Sequence, residues 1–217
     1  MNWLSSTAFT AFGQHVVWAD MLGNLLGLAG LALGWRRNVW SWPVQLLSGA
    51  VLIAAYLGGA SPNPGLIGKQ VIVIAAAAWG WTRWQQGHRA NGGIAVRFAS
   101  WRERALLAGA LGLGTVALAG VYFANPSWSW SPWADAYIFV GTLAAMYAQA
   151  RGWVEFWFAW IAVDVVGVPL AFHSGYAFSG LTYSIYFVLV LLGLRAWWLS
   201  TRTTRPSTAN VPQGVTA

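Results

Sequence analysis

The sequence predicts an all-α integral membrane protein with seven transmembrane helices. Of its 217 residues, 58% are hydrophobic and 8% are charged, whereas an ordinary soluble domain carries about 25% charged residues. The apolar residues come in solid runs of about 20, the helical length that crosses roughly 30 Å of hydrocarbon. The runs do not alternate as barrel strands would, so helices are expected. Basic residues collect in every second connection between the runs, the pattern that orients a multi-span protein.

Taken in order, the first helix is expected over Trp18–Trp35, the second over Val39–Leu57 and the third over Pro64–Trp84. The fourth covers Ala105–Ala124, the fifth Trp133–Ala150, the sixth Trp153–Phe172 and the seventh Phe178–Trp198. Residues 1–17 are mildly apolar and are expected outside the cell or at the membrane interface. They have no basic region ahead of the first run, so a cleaved signal peptide is not expected. Residues 18–84 form a first three-helix unit. Residues 85–132 hold an inner loop, the fourth helix and an outer loop. Residues 133–198 form a second three-helix unit. The tail 199–217 is rich in Ser, Thr and Pro, has nothing to bury and reads as disordered.

Arg36 and Arg37 follow the first helix, and Arg83, Arg89, Arg97, Arg102 and Arg104 follow the third. Arg151 follows the fifth, and Arg195, Arg202 and Arg205 end the seventh and enter the tail. The connections around Ser61, Pro126 and Ser174 carry none. Basic residues mark the cytoplasmic side, so the N-terminus is expected outside and the C-terminus inside. The net charge of +7 is read as topology anchoring and not as a nucleic-acid surface. Trp40, Trp42, Trp81, Trp84, Trp101, Trp128, Trp130, Trp133, Trp197 and Trp198 fall at helix ends, where an amphipathic indole prefers the interface.

The two ends of the chain echo each other. Trp18-Ala19-Asp20 opens the first helix, and Trp133-Ala134-Asp135, 115 residues on, opens the fifth. Gly80-Trp81-Thr82-Arg83-Trp84 closes the third, and Gly193-Leu194-Arg195-Ala196-Trp197, 113 residues on, closes the seventh. Helices one to three and five to seven therefore read as two copies of one unit, with the fourth as connector. An odd connector makes the copies parallel, an architecture of transporters whose substrate site lies between the halves.

A polar group at membrane depth is costly unless it is paired or lines a wet cavity, so each one is a candidate. Asn24, Gln45, Lys69, Gln70, Gln149, Glu155, Asp164, Thr182, Tyr183, Ser184 and Tyr186 lie in the spans. Trp153, Trp157 and Trp160 recur four and three apart, a single helical face that Asp164 continues. Tyr183 and Tyr186 stand three apart on the seventh helix. Flat aromatic walls suit a planar ligand, and the Asn and Gln amides suit its carbonyls and ring nitrogens. The candidate substrate-binding set is therefore Trp153, Trp157, Trp160, Asp164, Tyr183, Tyr186, Thr182, Gln45, Gln70 and Asn24. The alternative for these rings is helix packing or interface anchoring. Asp164 either contributes to this set or pairs with Lys69, which can also snorkel outward. Glu155 is expected to pair with Arg151 at i, i+4. Pro43 and Pro169 either kink their helices or, for Pro43, open one.

Several chemistries are not expected. No Gly-rich phosphate cradle or Walker lysine is present, so no ATP engine lies on this chain. Cysteine is absent, and His15, His88 and His173 are scattered, so neither metal nor cofactor is expected. No catalytic constellation converges in the sequence, and an enzyme is not expected. A retinal pigment needs a Schiff-base lysine in the last helix, which has none.

Trp40-Ser41-Trp42-Pro43, Gln70 ten residues before Gly80, and the closing Gly80…Trp84 run resemble the PnuC family of bacterial vitamin transporters. So do Trp157-Phe-Ala-Trp160-Ile-Ala-Val-Asp164, Pro169-Leu170, Gly175-Tyr176, Thr182-Tyr183 and Gly193…Trp197. The resemblance spans about residues 18–198. It implies a 3+1+3 helix fold like that of a full-length SWEET-type sugar facilitator. It also implies energy-independent vitamin uptake across the cell membrane, with a cytoplasmic kinase trapping the substrate. Family members divide by substrate among nicotinamide riboside, thiamine and riboflavin. The nicotinamide riboside members imply an Asn near the Tyr of the seventh helix, where this chain has Ser179, Thr182 and Ser184. Phe12-Gly-Gln-His15, Trp18-Ala-Asp20 and Gly34-Trp-Arg-Arg37 resemble the actinobacterial riboflavin branch, which also takes up roseoflavin. Riboflavin is the substrate this implies, nicotinamide riboside or thiamine the alternative. A homo-oligomer is compatible with the family.

Overall fold

In hydrocarbon a backbone N–H or C=O finds no partner outside its own segment, so each apolar run closes its hydrogen bonds as a helix. The computed structural model describes residues 3–11, 13–58, 64–129, 131–173 and 177–203. Among them are seven long helices: α1 (Trp18–Trp35), α2 (Ser41–Gly58), α3 (Pro64–Asn91), α4 (Trp101–Ala124), α5 (Pro132–Ala150), α6 (Glu155–His173) and α7 (Ala177–Thr203). The tail beyond residue 203, with Arg205, and the connections around Ser61 and Ser174 lie outside the described residues.

Several boundaries differ from the hydropathy reading. α3 runs past Trp84 to Asn91, because nothing stops it before Gly92, whose φ of 70° turns the chain out of the helix. Arg89 therefore rides on a helix and not in a loop. α7 likewise continues to Thr203, into what composition marked as tail. α4 starts at Trp101 because Ser100 caps it. The Ser100 side chain accepts from the Glu103 N–H, and the Ser100 N–H donates to Glu103 Oε2 at 2.7 Å, a closed capping box. Pro43 is the third residue of α2 and opens it, where its missing N–H has no partner to lose. Pro169 lies inside α6. The residues before α1 include an antiparallel hairpin, β1 (Thr7–Ala11) with β2 (Gln14–Val17). Gly13, with φ 75°, lies between its strands.

Packing closes a ring. α1 lies on α2, α2 on α3, α3 on α5, α5 on α6, α6 on α7, and α7 returns to α1; α4 stands outside the ring against α5. Two arrangements recur on this ring. The Trp42 ring of α2 lies against Gly80 of α3, where any Cβ would overlap it, and meets Trp84 edge-on at 5.6 Å. The Trp157 ring of α6 lies against Gly193 of α7 in the same way and meets Trp197 edge-on at 5.7 Å. Each outer indole then reaches across the ring. Trp84 Nε1 donates to the Gln149 carbonyl of α5 at 3.0 Å, and Trp197 Nε1 donates to the Trp35 carbonyl of α1 at 3.0 Å.

The arginine-rich end carries a clasp. Gly152, with φ 69°, turns the chain between α5 and α6. The Arg97 N–H donates to the Gly152 carbonyl at 3.0 Å, and the Val154 N–H donates to the Arg97 carbonyl at 3.0 Å. Glu155 accepts from the Ala99 N–H at 2.9 Å and from Arg104 Nε at 2.7 Å. Its ion pair is therefore with Arg104 of α4 and not with Arg151. The turn at Gly152 separates those neighbours, and Arg151 lies 3.7 Å from Glu103 instead. Lys69 lies over the Tyr122 ring of α4, 5.3 Å from its centre, and makes no ion pair with Asp164.

Candidate binding cavity

The six ring helices leave a cavity of about 240 Å³ near their middles. Helical spacing explains its lining: positions three, four, seven and eight apart share a face. From α1 come Asn24, Gly27 and Leu31; from α2, Gln45, Ser48 and Gly49; from α3, Gln70 and Val73. From α5 come Thr142, Met146 and Gln149; from α6, Phe156, Trp160, Val163 and Asp164; from α7, Tyr183 and Tyr186. The chemistry is divided. Helices α1 to α3 supply amides, a hydroxyl and glycines. Helices α6 and α7 supply four aromatic rings and a carboxylate.

The division is held by local packing. Tyr186 crosses from α7 to α1, where its hydroxyl donates to the Asn24 carbonyl at 2.8 Å. Gly27 admits that hydroxyl, since a Cβ there would overlap it. Asp164 is 3% exposed, and its Oδ2 is buried with no hydrogen-bond partner. The Nε2 of Gln149 is in the same state. A buried polar atom left unpaired costs about 1–3 kcal/mol.

Residues 17–199 match the family described as nicotinamide mononucleotide transporter. The chain belongs to this family. Among relatives of this family member, the riboflavin/roseoflavin transporter RibM of Streptomyces davaonensis is 57% identical over 215 residues, 98% of this chain and all of its own. A crystal structure of the vitamin B3 transporter PnuC has the same fold, with TM-score 0.68 at 14% identity, over 87% of this chain and 83% of that one. This nicotinamide mononucleotide transporter family member is thus a membrane transporter and not an enzyme.

Of the ten residues singled out in the sequence, this family member's cavity brings together Asn24, Gln45, Gln70, Trp160, Asp164, Tyr183 and Tyr186. It does not include Trp153, Trp157 or Thr182. Trp157 is fully buried against Gly193 and Trp197, filling the groove between α6 and α7. Trp153 precedes α6, and the guanidinium groups of Arg97 and Arg151 each lie 5.3 Å from its ring centre. Thr182 is buried away from the cavity. The cavity-facing stripe of α6 is instead Phe156, Trp160 and Asp164, spaced four and four. That spacing was available in the sequence, hidden by the greater visibility of tryptophan. Ser48 and Thr142 gave no signal, because single hydroxyls are common in membrane helices.

Proposed function

We propose that the chain carries riboflavin, and its analogue roseoflavin, across the cell membrane by facilitated diffusion. The observation that carries this is the divided cavity: aromatic rings on one wall, amides on the other. A flat tricyclic ring stacks on Trp160 and its neighbours Phe156, Tyr183 and Tyr186, at about 1–3 kcal/mol per stacked ring. Its carbonyls, ring nitrogens and polyol chain meet Asn24, Gln45, Gln70 and Asp164. Trp157, whose ring centre lies 4.4 Å from that of Phe156, supports this wall from behind. The 57% identity to RibM supports the same substrate.

The architecture proposed for this work is two parallel three-helix units, α1–α3 and α5–α7, joined by α4. The units are related about an axis along the membrane normal, with the N-terminus outside and the C-terminus in the cytoplasm. The recurring Trp42–Gly80–Trp84 and Trp157–Gly193–Trp197 arrangements support the repeat. The arginines gathered at one end support the orientation. The hairpin then lies on the outer face, and the tail lies in the cytoplasm. Net uptake follows from trapping: a cytoplasmic kinase phosphorylates the vitamin, and the charged product cannot return.

The alternative substrate is nicotinamide riboside or thiamine, and the family's description, which names a nicotinamide nucleotide, directs the comparison to the nicotinamide compound. One experiment separates the two. Riboflavin fluorescence is quenched on stacking against indole, so riboflavin is titrated into purified protein in detergent, with nicotinamide riboside as competitor. Saturable quenching at micromolar riboflavin, unaffected by nicotinamide riboside, is expected. No quenching, with tight nicotinamide riboside binding, sinks the riboflavin reading. In vesicles without a trapping enzyme, riboflavin is expected to equilibrate and stop; accumulation against a gradient would contradict facilitation.

A further inference from the structure

Gln149 stands one residue before the end of α5, at the arginine-rich end of the cavity. It is 2% exposed, and its Nε2 has no hydrogen-bond partner. Its main chain is fixed, because its carbonyl accepts from Trp84 Nε1 at 3.0 Å. Room for the amide comes from α1. A Cβ on Gly34 would lie 2.8 Å from Gln149 Nε2. The absent side chain at position 34 and the present one at 149 thus make one feature: a buried amide donor, held in place and left without an acceptor.

The surroundings say which part of a ligand completes it. At this level the cavity is lined by Leu31, Met146 and Phe156, apolar and aromatic groups that suit a ring and not a polyol. Asp164 lies eight residues further along α6 than Phe156, about 12 Å at the helical rise of 1.5 Å per residue. Asn24 and Gln70 line the same cavity and are the counterparts for hydroxyl groups.

We propose that Gln149 is a specificity-determining contact, whose Nε2 donates a hydrogen bond to a carbonyl or acceptor nitrogen on the polar edge of the transported heterocycle. The ring enters edge-first toward the arginine-rich end, and the polyol chain points toward Asp164. This rests on the riboflavin reading above and deepens it by assigning the ligand's orientation.

The test uses full-length protein with two fluorescent probes: riboflavin, and lumiflavin, which has the same ring with a methyl group in place of the polyol chain. Gln149→Leu is expected to weaken both probes by the same factor, about two- to thirteen-fold for one lost hydrogen bond. Its melting temperature without ligand is expected to equal or exceed that of the wild type, because the unpaired donor is gone. Gly34→Ala, which drives a methyl group into the amide, is expected to weaken both probes likewise and serves if Gln149→Leu does not express. Unchanged affinity for both probes in these variants overturns the assignment. So does a loss confined to riboflavin, which would place the polyol chain at Gln149. Wild-type protein that binds neither probe overturns the riboflavin reading itself, a result separable from the other two.

Discussion

Trp157 and Trp160 stand three residues apart on one helix and have opposite surroundings. Trp157 fills a groove between helices, with Gly193 beneath it and Trp197 against its edge. Trp160 faces the cavity. Trp157→Ala is therefore expected to lower stability by about 3–5 kcal/mol, as removal of a buried aromatic does, read from thermal unfolding in detergent. Trp160→Ala is expected to leave the melting temperature close to wild type. It should weaken flavin binding by about five- to 150-fold, the equivalent of about 1–3 kcal/mol, read by fluorescence titration. At the clasp, Arg97 hydrogen-bonds both oxygens of Glu103, at 2.7 and 2.8 Å. That partner, with the Ser100 N–H, holds the Glu103 carboxyl at about 2, below its usual 4.5. A carboxyl depressed on folding contributes stability above its unfolded value, and this is lost as pH falls through the folded value. The melting temperatures of wild type and Glu103→Gln are therefore expected to converge as pH is lowered from 4.5 toward 2. A constant gap would deny the Arg97 contact a role.

At the scale of elements, the decisive contacts are glycine against indole. Gly80 and Gly193 stand out in the sequence because each opens a similar closing run, but their partners, Trp42 and Trp157, lie on other helices. Sequence spacing gives no hint of which indole each glycine receives. Gly80→Ala and Gly193→Ala are each expected to destabilise the protein by about 1–3 kcal/mol through overpacking, and by similar amounts, because the two contacts are alike. Thermal unfolding of the pair checks this, and a large loss at one site with none at the other would break the correspondence. The clasp teaches a related lesson. Glu155 and Arg151 have the spacing of a helical ion pair, but the turn at Gly152 places them on different elements, and Glu155 turns to α4. Spacing predicts contact only within one unbroken helix.

For the whole molecule, the ring closes through α3 on α5 and α7 on α1, and an indole hydrogen bond spans each junction, Trp84 to α5 and Trp197 to α1. Trp84→Phe and Trp197→Phe keep the rings and remove these bonds. Each is expected to lower stability by about 0.5–1.5 kcal/mol. The two acceptors are close, because Gly34, next to Trp35, lies against the Gln149 side chain, so the two losses are expected to depart from a simple sum. A double variant whose loss equals the sum of the two single losses would show that the junctions are independent.

The sequence alone determined that this is a chain of seven apolar helices, where each begins to within about four residues, and that arginine gathers at one end. These follow from local physics. Hydrocarbon thickness sets run length, and the cost of an unpaired backbone group makes each run helical. The same motifs were legible enough to point to the vitamin transporter family. Which face of each helix meets the cavity was decided only by the tertiary structure. In a membrane helix both the packed and the lipid-facing sides are apolar, so hydropathy carries no information about rotation around the axis. The assignment of Trp160 to the cavity and Trp157 to the groove, and the pairing of Gln149 with the space at Gly34, depend on contacts between helices more than a hundred residues apart in two of the three cases.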